Sequence, residues 1–471
     1  MTVTYTSEHF KREARHALEQ PNLQRALDRT TTLLQSRRAD AYRDFAEFEA
    51  AREAGSRIKD HVLRHLDHYL ERFEAAAEAA GCTVHWARDA DEACRITTEL
   101  CRRAEARTVT RVKSMLGEEI GLPEALDAAG FERVETDLAE HINQLSGDRP
   151  SHIVIPALHK TREEVSALFE RAHPGHRRIE EISGLVESAR STLRAKYFAA
   201  EVGISGANFL VADTGAVCTV TNEGNAELTM QLPRVQIVTA GIEKVVPSME
   251  HAGVLLRLLA RSALGMELTQ YTTFLTGAKR PGDRDGPEEM HIVLVDSGRT
   301  ELLGDALAPI LKCIRCAACI NHCPVYGQIG GHAYGGVYQG PMGSVLTPAM
   351  ASLAKSKDLP HACTLNGHCV EVCPVKIPLT DLMRTLRERT WREHLVDRPT
   401  RWGLGLWGQV ARRPALYRLA SGIGVRALRL WARGRPALHR LPGAAAWTRS
   451  RDLPAPPPGG TFMARYGRGE R

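Results

Sequence analysis

Two short runs of cysteine carry the chemistry that this sequence can do. The first, CIRCAACINHCP at residues 313–324, sets Cys313, Cys316, Cys319 and Cys323 at C-x2-C-x2-C-x3-C and closes on Pro324. The second, CTLNGHCVEVCP at residues 363–374, sets Cys363, Cys369 and Cys373 at C-x5-C-x3-C before Pro374. Soft thiolates a few residues apart let a tight loop wrap the corners of an iron–sulfur cubane, and the proline turns the chain away. In runs of this kind the fourth cysteine serves the other cluster. Exchanging the two fourth cysteines gives Cys313, Cys316, Cys319 and Cys373 to a first cluster, a full set for [4Fe–4S]. Cys323, Cys363 and Cys369 remain for a second, with Asn366 where the first run has a cysteine. That second cluster is expected as [3Fe–4S] or a labile [4Fe–4S], unless a residue such as His368 completes it. A zinc ribbon would need two C-x2-C pairs around one tetrahedral ion, an order this sequence does not follow.

Other residues of the right chemical type read differently. Cys82, Cys94, Cys101 and Cys218 are widely and irregularly spaced beside apolar residues, as buried small hydrophobes are. His61, His65 and His68 share a helical face that reads as polar surface rather than a metal site. The glycine-rich stretch 330–343 lacks the Lys-Ser/Thr of a phosphate loop, so it is expected to pack closely on the clusters, with His332 and Tyr334 as candidate proton or partner contacts.

The elements that must position these cysteines divide the chain into segments. Residues 1–80 read as helical. Residues 81–300 alternate short Val/Ile/Thr-rich runs (CTVHWA, TVTRV, FERVETDL, SHIVIPAL, NFLVADTGAVCTVTN, RVQIVTAG, MHIVLVDSG) with amphipathic stretches such as KTREEVSALFERAH. Such alternation predicts an α/β domain with a largely parallel sheet. Residues 301–395 hold the two-cluster ferredoxin-type module, expected to be α-helical, and 396–471 form a basic extension ending in an irregular Pro/Gly stretch.

Composition bounds the rest. The chain of 471 residues is too long for one ordinary core. It shows no secretory leader pattern and no apolar run of the roughly 20 residues needed to span a bilayer. The best run, residues 254–264, is cut by Arg257 and Arg261. A cytoplasmic location is expected, where clustered cysteines hold metal rather than disulfides. Residues 401–471 contain fourteen arginines against two acidic residues, while the whole chain is +6, so the first 400 residues carry −6. The basic character is a property of the tail. It suits docking on an acidic partner, packing on the protein's own surface or peripheral membrane contact, and gives no ground for nucleic-acid binding.

The α/β segment resembles the lactate-utilization (LUD) domain. The resemblance is carried by VKSM at 112–115, VETDL at 134–138, Gln144 and Leu145, SHIV at 151–154, HKTREE at 159–164, GISGAN at 203–208, DTG at 213–215 and TNEGN at 221–225. Pro233, Arg234, GIEK at 241–244 and DGPE at 285–288 continue it. Joined to CPVY and CPVKIP after the two cysteine runs, the order resembles the lactate utilization protein B family over roughly residues 55–400. In that pattern the slot of Asn366 holds cysteine; the C-x5-C-x3-C run found here resembles instead the iron–sulfur subunit of succinate dehydrogenase and fumarate reductase, where a three-cysteine site holds [3Fe–4S].

The resemblance implies a fold like the sugar-phosphate isomerase (NagB/RpiA) and CoA-transferase group. It also implies an electron-transfer subunit working with partner subunits of a complex that oxidises L-lactate to pyruvate, rather than a stand-alone catalyst. Open alternatives are another 2-hydroxy acid such as glycolate, or an acyl or CoA transferase with regulatory clusters. Folds of this group bind ligands at the carboxyl ends of parallel strands, which points to Lys113, Asp137, Asn208, Thr214, Gly215, Asn222, Glu223 and Gly224. Glu223 invites comparison with a transferase nucleophile, although residues 222–225 read more simply as a turn between strands.

Overall fold

The computed structural model describes residues 5–441, 448 and 451–469. Its strands follow the β-branched runs: β1 Cys82–Ala87, β2 Thr108–Arg111, β3 Glu132–Glu135, β4 Val202–Gly206, β5 Phe209–Val211, β6 Ala216–Thr221, β7 Val235–Gly241, β8 Val245–Val246, β9 Tyr271–Leu275 and β10 Glu289–Val295. Six of them form a parallel sheet in the order β1-β10-β7-β4-β2-β3. A second sheet, β8-β5-β6-β9, contains the β5–β6 hairpin, so the run 208–222 is two antiparallel strands joined by a turn.

The central strands are buried on both faces, as a parallel sheet requires. With a side-chain period of two, Val235, Ile237, Val293 and Val295 pack on one face with Leu100, Ile120 and Leu126 from the helices Ala90–Arg103, Met115–Ile120 and Leu122–Ala128. Val238, Ala240, Ile292 and Leu294 pack on the other with Val62, Leu66, Leu70 and Phe73. Those last four belong to the helices Phe48–Arg64 and Leu66–Ala79, so the helical N-terminal segment, together with Leu210, Val217 and Val245 of the second sheet, contributes to this layer. His61, His65 and His68 lie exposed on its outer side.

Residues 151–158 do not form the expected strand. The Ser151 N–H and hydroxyl both donate to the Pro156 carbonyl, and the Nδ1 of His152 accepts from the N–H groups of Val154 and Ile155. Side chains and a local turn thereby take groups that a ladder would need. Strand β4, VGISG, is glycine-rich because a Cβ on Gly203 would stand 1.9 Å from the Thr229 carbonyl oxygen.

The N-terminal helices also grip the cysteine-rich region. Gln35 donates to the Asn321 carbonyl at 2.7 Å, Arg38 to Val372 at 3.0 Å and Arg52 to Cys373 at 2.8 Å. Lys312 pairs with Asp60 at 2.8 Å. Residues 1–393 are one compact unit and 394–471 a second. The second unit contains the helices Arg398–Ala411 and Pro414–Ala432 and a short antiparallel pairing of Ala437–Leu438 with Leu453–Pro454. Trp402 and Leu430 are each 79% exposed there, and Trp407 and Trp431 are exposed as well. Among the described residues, no helix is long and apolar enough to cross a membrane.

Candidate iron–sulfur cradle and strand-end cavity

Both cysteine runs fold into the same loop. In the first, Arg315 and Ala317 adopt left-handed backbone (φ 61° and 62°), the Arg315 N–H donates to the Cys313 Sγ at 3.4 Å, and a one-turn helix, Ala318–Asn321, follows. In the second, Leu365 and Gly367 are left-handed (φ 56° and 85°), the Leu365 N–H donates to the Cys363 Sγ at 3.3 Å, and the helix His368–Glu371 follows. Successive left-handed residues turn amides inward toward sulfur, the arrangement of an anion-binding nest. Beyond each helix the sulfur accepts again, Cys323 from the Tyr326 N–H at 3.4 Å and Cys373 from the Ile377 N–H at 3.3 Å.

The thiols fall into two neighbourhoods that cross between the loops. A small cavity is lined by Cys313, Cys316, Cys319 and Cys373 and closed by Met342, Val375, Ile377 and Leu379. Burial pushes the Cys316 thiol up to about 12, with Cys373 and Cys313 adding to it. Cys369 is likewise pushed up to about 12, by burial and then by Cys363 and Cys323. Such thiols stay protonated unless a metal displaces the proton. Among the described residues no three His, Cys, Asp or Glu side chains meet as on a single ion.

The surroundings fit a sulfide-bearing group. The Tyr334 hydroxyl is buried beside Cys323, within hydrogen-bonding reach of its thiol, in a neighbourhood that includes Cys363. Asn366, in the slot corresponding to Cys316, is exposed. His368 is exposed as well, its ring edge-on to His322 at 4.8 Å. The other four cysteines are buried, with Cys82 and Cys94 pushed up by burial to about 11 and Cys101 and Cys218 to about 12.

A second cavity of about 500 Å³ opens at the carboxyl ends of β2, β3, β4 and β7. Lys113, Asp137, Asn208, Asn222 and Glu223 line it, as the strand-end reading expects. Thr214, Gly215 and Gly224 do not; Gly215 sits in the β5–β6 turn at φ 67°, where a Cβ would meet the Ala77 backbone nitrogen at 2.3 Å. Glu223 lies between β6 and the helix Asn225–Gln231, not between two strands. Burial, then Asp137, pushes its carboxyl up to about 7, although the Leu138 N–H donates to it at 3.2 Å.

The deep wall holds residues that sequence reading missed: Glu243, Lys244, Arg299, Arg315 and Tyr338. Arg299 makes a two-pronged pair with Glu119 (both 2.9 Å) and donates to Glu243 at 2.6 Å. The Tyr338 hydroxyl donates to Glu119, and Lys59 to the Glu243 carbonyl. Burial alone would raise the Glu243 carboxyl, but Arg299, Arg315, Lys244 and Lys59 hold it down at about 2. Lys244 falls within GIEK, a motif visible in the sequence, whereas Arg315 reads there only as a spacer between two cysteines.

This architecture, an α/β domain leading into a two-loop cysteine cradle, defines a class that comparison recovers. Residues 70–295 match the LUD domain and 309–377 the 4Fe-4S dicluster domain. The chain belongs to the lactate utilization protein B family. It is 40% identical to lactate utilization protein B of Bacillus licheniformis over 97% of this chain and 96% of that protein. The protein of the same name from Lysinibacillus sphaericus is 40% identical with the same coverage, and that of a Geobacillus strain 42% identical over 90% of this chain and 89% of its own. Likeness to the crystal structure of a DUF162 family protein from Deinococcus radiodurans is weak: 13% identity and a TM-score of 0.29, over 49% of this chain and 98% of that one.

Proposed function

We propose that this protein is the iron–sulfur electron-transfer subunit of a system that oxidises L-lactate to pyruvate in the cytoplasm. The observation that carries the reading is the crossed grouping of buried thiols around two loops of one conformation. The name shared by its relatives supports lactate as the substrate of the system. Cys313, Cys316, Cys319 and Cys373 would hold a [4Fe–4S] cluster. Cys323, Cys363 and Cys369 would hold a [3Fe–4S] or easily depleted [4Fe–4S] cluster, with exposed Asn366 in the slot where the first run has a thiolate. When bound, such clusters exchange one electron each. The chain's own residues set the terms of that exchange: loop amides donate to sulfur, and Met342, Val375, Ile377 and Leu379 exclude water from the first cavity.

Lactate gives up two electrons and two protons on becoming pyruvate, and we assign the group that takes them from lactate and the final electron acceptor to partner subunits of a lactate-utilization complex. The tail, with its arginines and exposed tryptophans, is the surface we assign to docking on an acidic partner, and a membrane surface is the competing occupant. The decisive experiment is EPR of anaerobically purified protein, as isolated and after reduction, with iron and sulfide counts. Signals from two clusters are expected, and protein binding zinc but neither iron nor sulfide would overturn the reading.

Glu223, lining a cavity at the strand ends, favours a second reading as an acyl or CoA transferase. The expected kinship of the sheet domain with the NagB/RpiA and CoA-transferase group points the same way, though fold kinship alone does not establish an activity. Turnover of an acyl-CoA by the purified chain without any redox partner would select it. A system acting on glycolate would be told from one acting on lactate by comparing the two acids as reductants of the reconstituted complex.

A further inference from the structure

The strand-end cavity shares a wall with the first cysteine loop. Arg315, between Cys313 and Cys316, lines both that cavity and the smaller one ringed by thiols. Its side chain is only 10% exposed. One terminal nitrogen approaches Glu243 at 3.5 Å and the guanidinium lies 4.8 Å from the Tyr338 ring centroid, but Nη1 is buried with no hydrogen-bond partner among the described residues. A buried cationic donor left unpaired is costly.

Two lysines in the same cavity extend the pattern. Lys113 follows β2 and Lys244 follows β7, and among the described residues neither makes a hydrogen bond or an ion pair. The carboxylates nearby do not satisfy this surplus. Glu243 is committed to Arg299 and shared with Arg315, Glu119 is taken by Arg299 and Tyr338, and Asp137 caps the helix Leu138–Ser146 through the N–H groups of Ala139 and Glu140. Glu223 accepts from Leu138, and burial raises its carboxyl to about 7 and that of Glu140 to about 8 although Lys113 stands near both. The volume of about 500 Å³ falls in the range of small-molecule sites. Met115, Ile153 and Val154 supply apolar wall.

We propose that the strand-end cavity binds an organic oxyanion, a carboxylate or phosphate ester, through Lys113, Lys244 and Arg315, and that through Arg315 its occupancy tunes the first cluster. The proposal rests on the assignment of Cys313, Cys316, Cys319 and Cys373 to that cluster. Reduction adds one negative charge beside Arg315, and a bound anion opposes that charge across a short, poorly screened distance. Ligand binding therefore lowers the cluster potential, and by linkage reduction weakens ligand binding by the same factor.

The test is an EPR-monitored redox titration of the full-length holoprotein with sodium pyruvate, sodium L-lactate or inorganic phosphate, against sodium chloride at matched ionic strength. At least one oxyanion should lower the first-cluster midpoint, a tenfold weaker affinity for the reduced form corresponding to about 59 mV for one electron. Lys244→Met should abolish the shift while both cluster signals and the iron count stay intact, and Lys113→Met should weaken ligand affinity about tenfold. A shift with pyruvate or lactate assigns a carboxylate ligand. A shift with phosphate alone keeps the oxyanion site and assigns a phosphate ester instead. No shift beyond chloride in protein with an intact first-cluster signal overturns the inference, as does a shift that survives both lysine variants. Loss of the cluster assignment itself would appear separately, as a first-cluster signal indifferent to Cys313→Ser.

Discussion

Asn366 occupies in the second loop the position that Cys316 occupies in the first, three residues after the leading cysteine and flanked by the same pair of left-handed residues. The backbone is shaped for a thiolate at both places, and the sequence provides it at one. A neutral amide does not replace a soft anionic ligand on iron. Asn366→Cys should therefore add one iron per chain and remove a three-iron EPR signal from oxidised protein. Wild-type protein with two four-iron clusters and no three-iron signal after mild oxidation would show that another group, such as His368, already fills the corner.

The crossing of the fourth cysteines predicts which variants resemble one another. Cys373→Ser should disturb the same EPR signal as Cys316→Ser, and Cys323→Ser the same signal as Cys369→Ser. Variants that pair instead by sequence neighbourhood, Cys323 with Cys316, would contradict the grouping.

Removal of residues 401–471 should leave both cluster signals in place and weaken association with partner subunits. Added salt should weaken it too in the intact chain, since exposed charges are screened over about 10 Å at ~0.1 M. Pull-down of partner subunits across a salt series checks both points; binding that is indifferent to salt and to truncation would exclude the tail.

A pH dependence follows from two stacked histidines. His141 and His173 face each other at 3.0 Å between ring nitrogens, and burial, then His173, pushes His141 down to about 4. The unfolded chain takes up that proton near pH 6.5, the folded chain only well below it, so stability is full above 6.5 and lost as pH falls toward 4. Between pH 7 and 5 the wild type should lose roughly 2 kcal/mol relative to His141→Gln, at about 1.4 kcal/mol per pH unit below 6.5. Urea unfolding at the two pH values measures it; parallel losses in both proteins would refute the assignment.

Much of the sheet domain was legible because its strands announce themselves twice, by β-branched composition and by burial on both faces. β1 was readable to the residue, and β7 and β10 nearly so. β4 escaped notice because close approach to Thr229 demands glycine, which carries no strand signal. Residues 151–158 misled in the opposite sense: the apolar run is real, but Ser151 and His152 hold a tight loop. The two cysteine loops were legible from spacing alone, since each is a single short run of sequence. The rest of the strand-end cavity was not, because Lys244, Arg299 and Arg315 come from separate segments and join Lys113 only after folding.

The grip of Gln35, Arg38 and Arg52 on carbonyls of the two cysteine runs, one in the first and two in the second, makes the N-terminal helices part of the cradle's frame. A ligand that binds only the assembled cradle stabilises everything that frames it, and the frame in turn strengthens the ligand's hold. Arg52 shares its helix, Phe48–Arg64, with Val62, which packs beside Leu66, Leu70 and Phe73 of the next helix on one face of the parallel sheet. Oxidative loss of iron at the cradle would thus be felt as loosening of a hydrophobic layer in the neighbouring domain. Damage to an inorganic centre becomes exposed apolar surface, a signal of the kind that protein quality control reads.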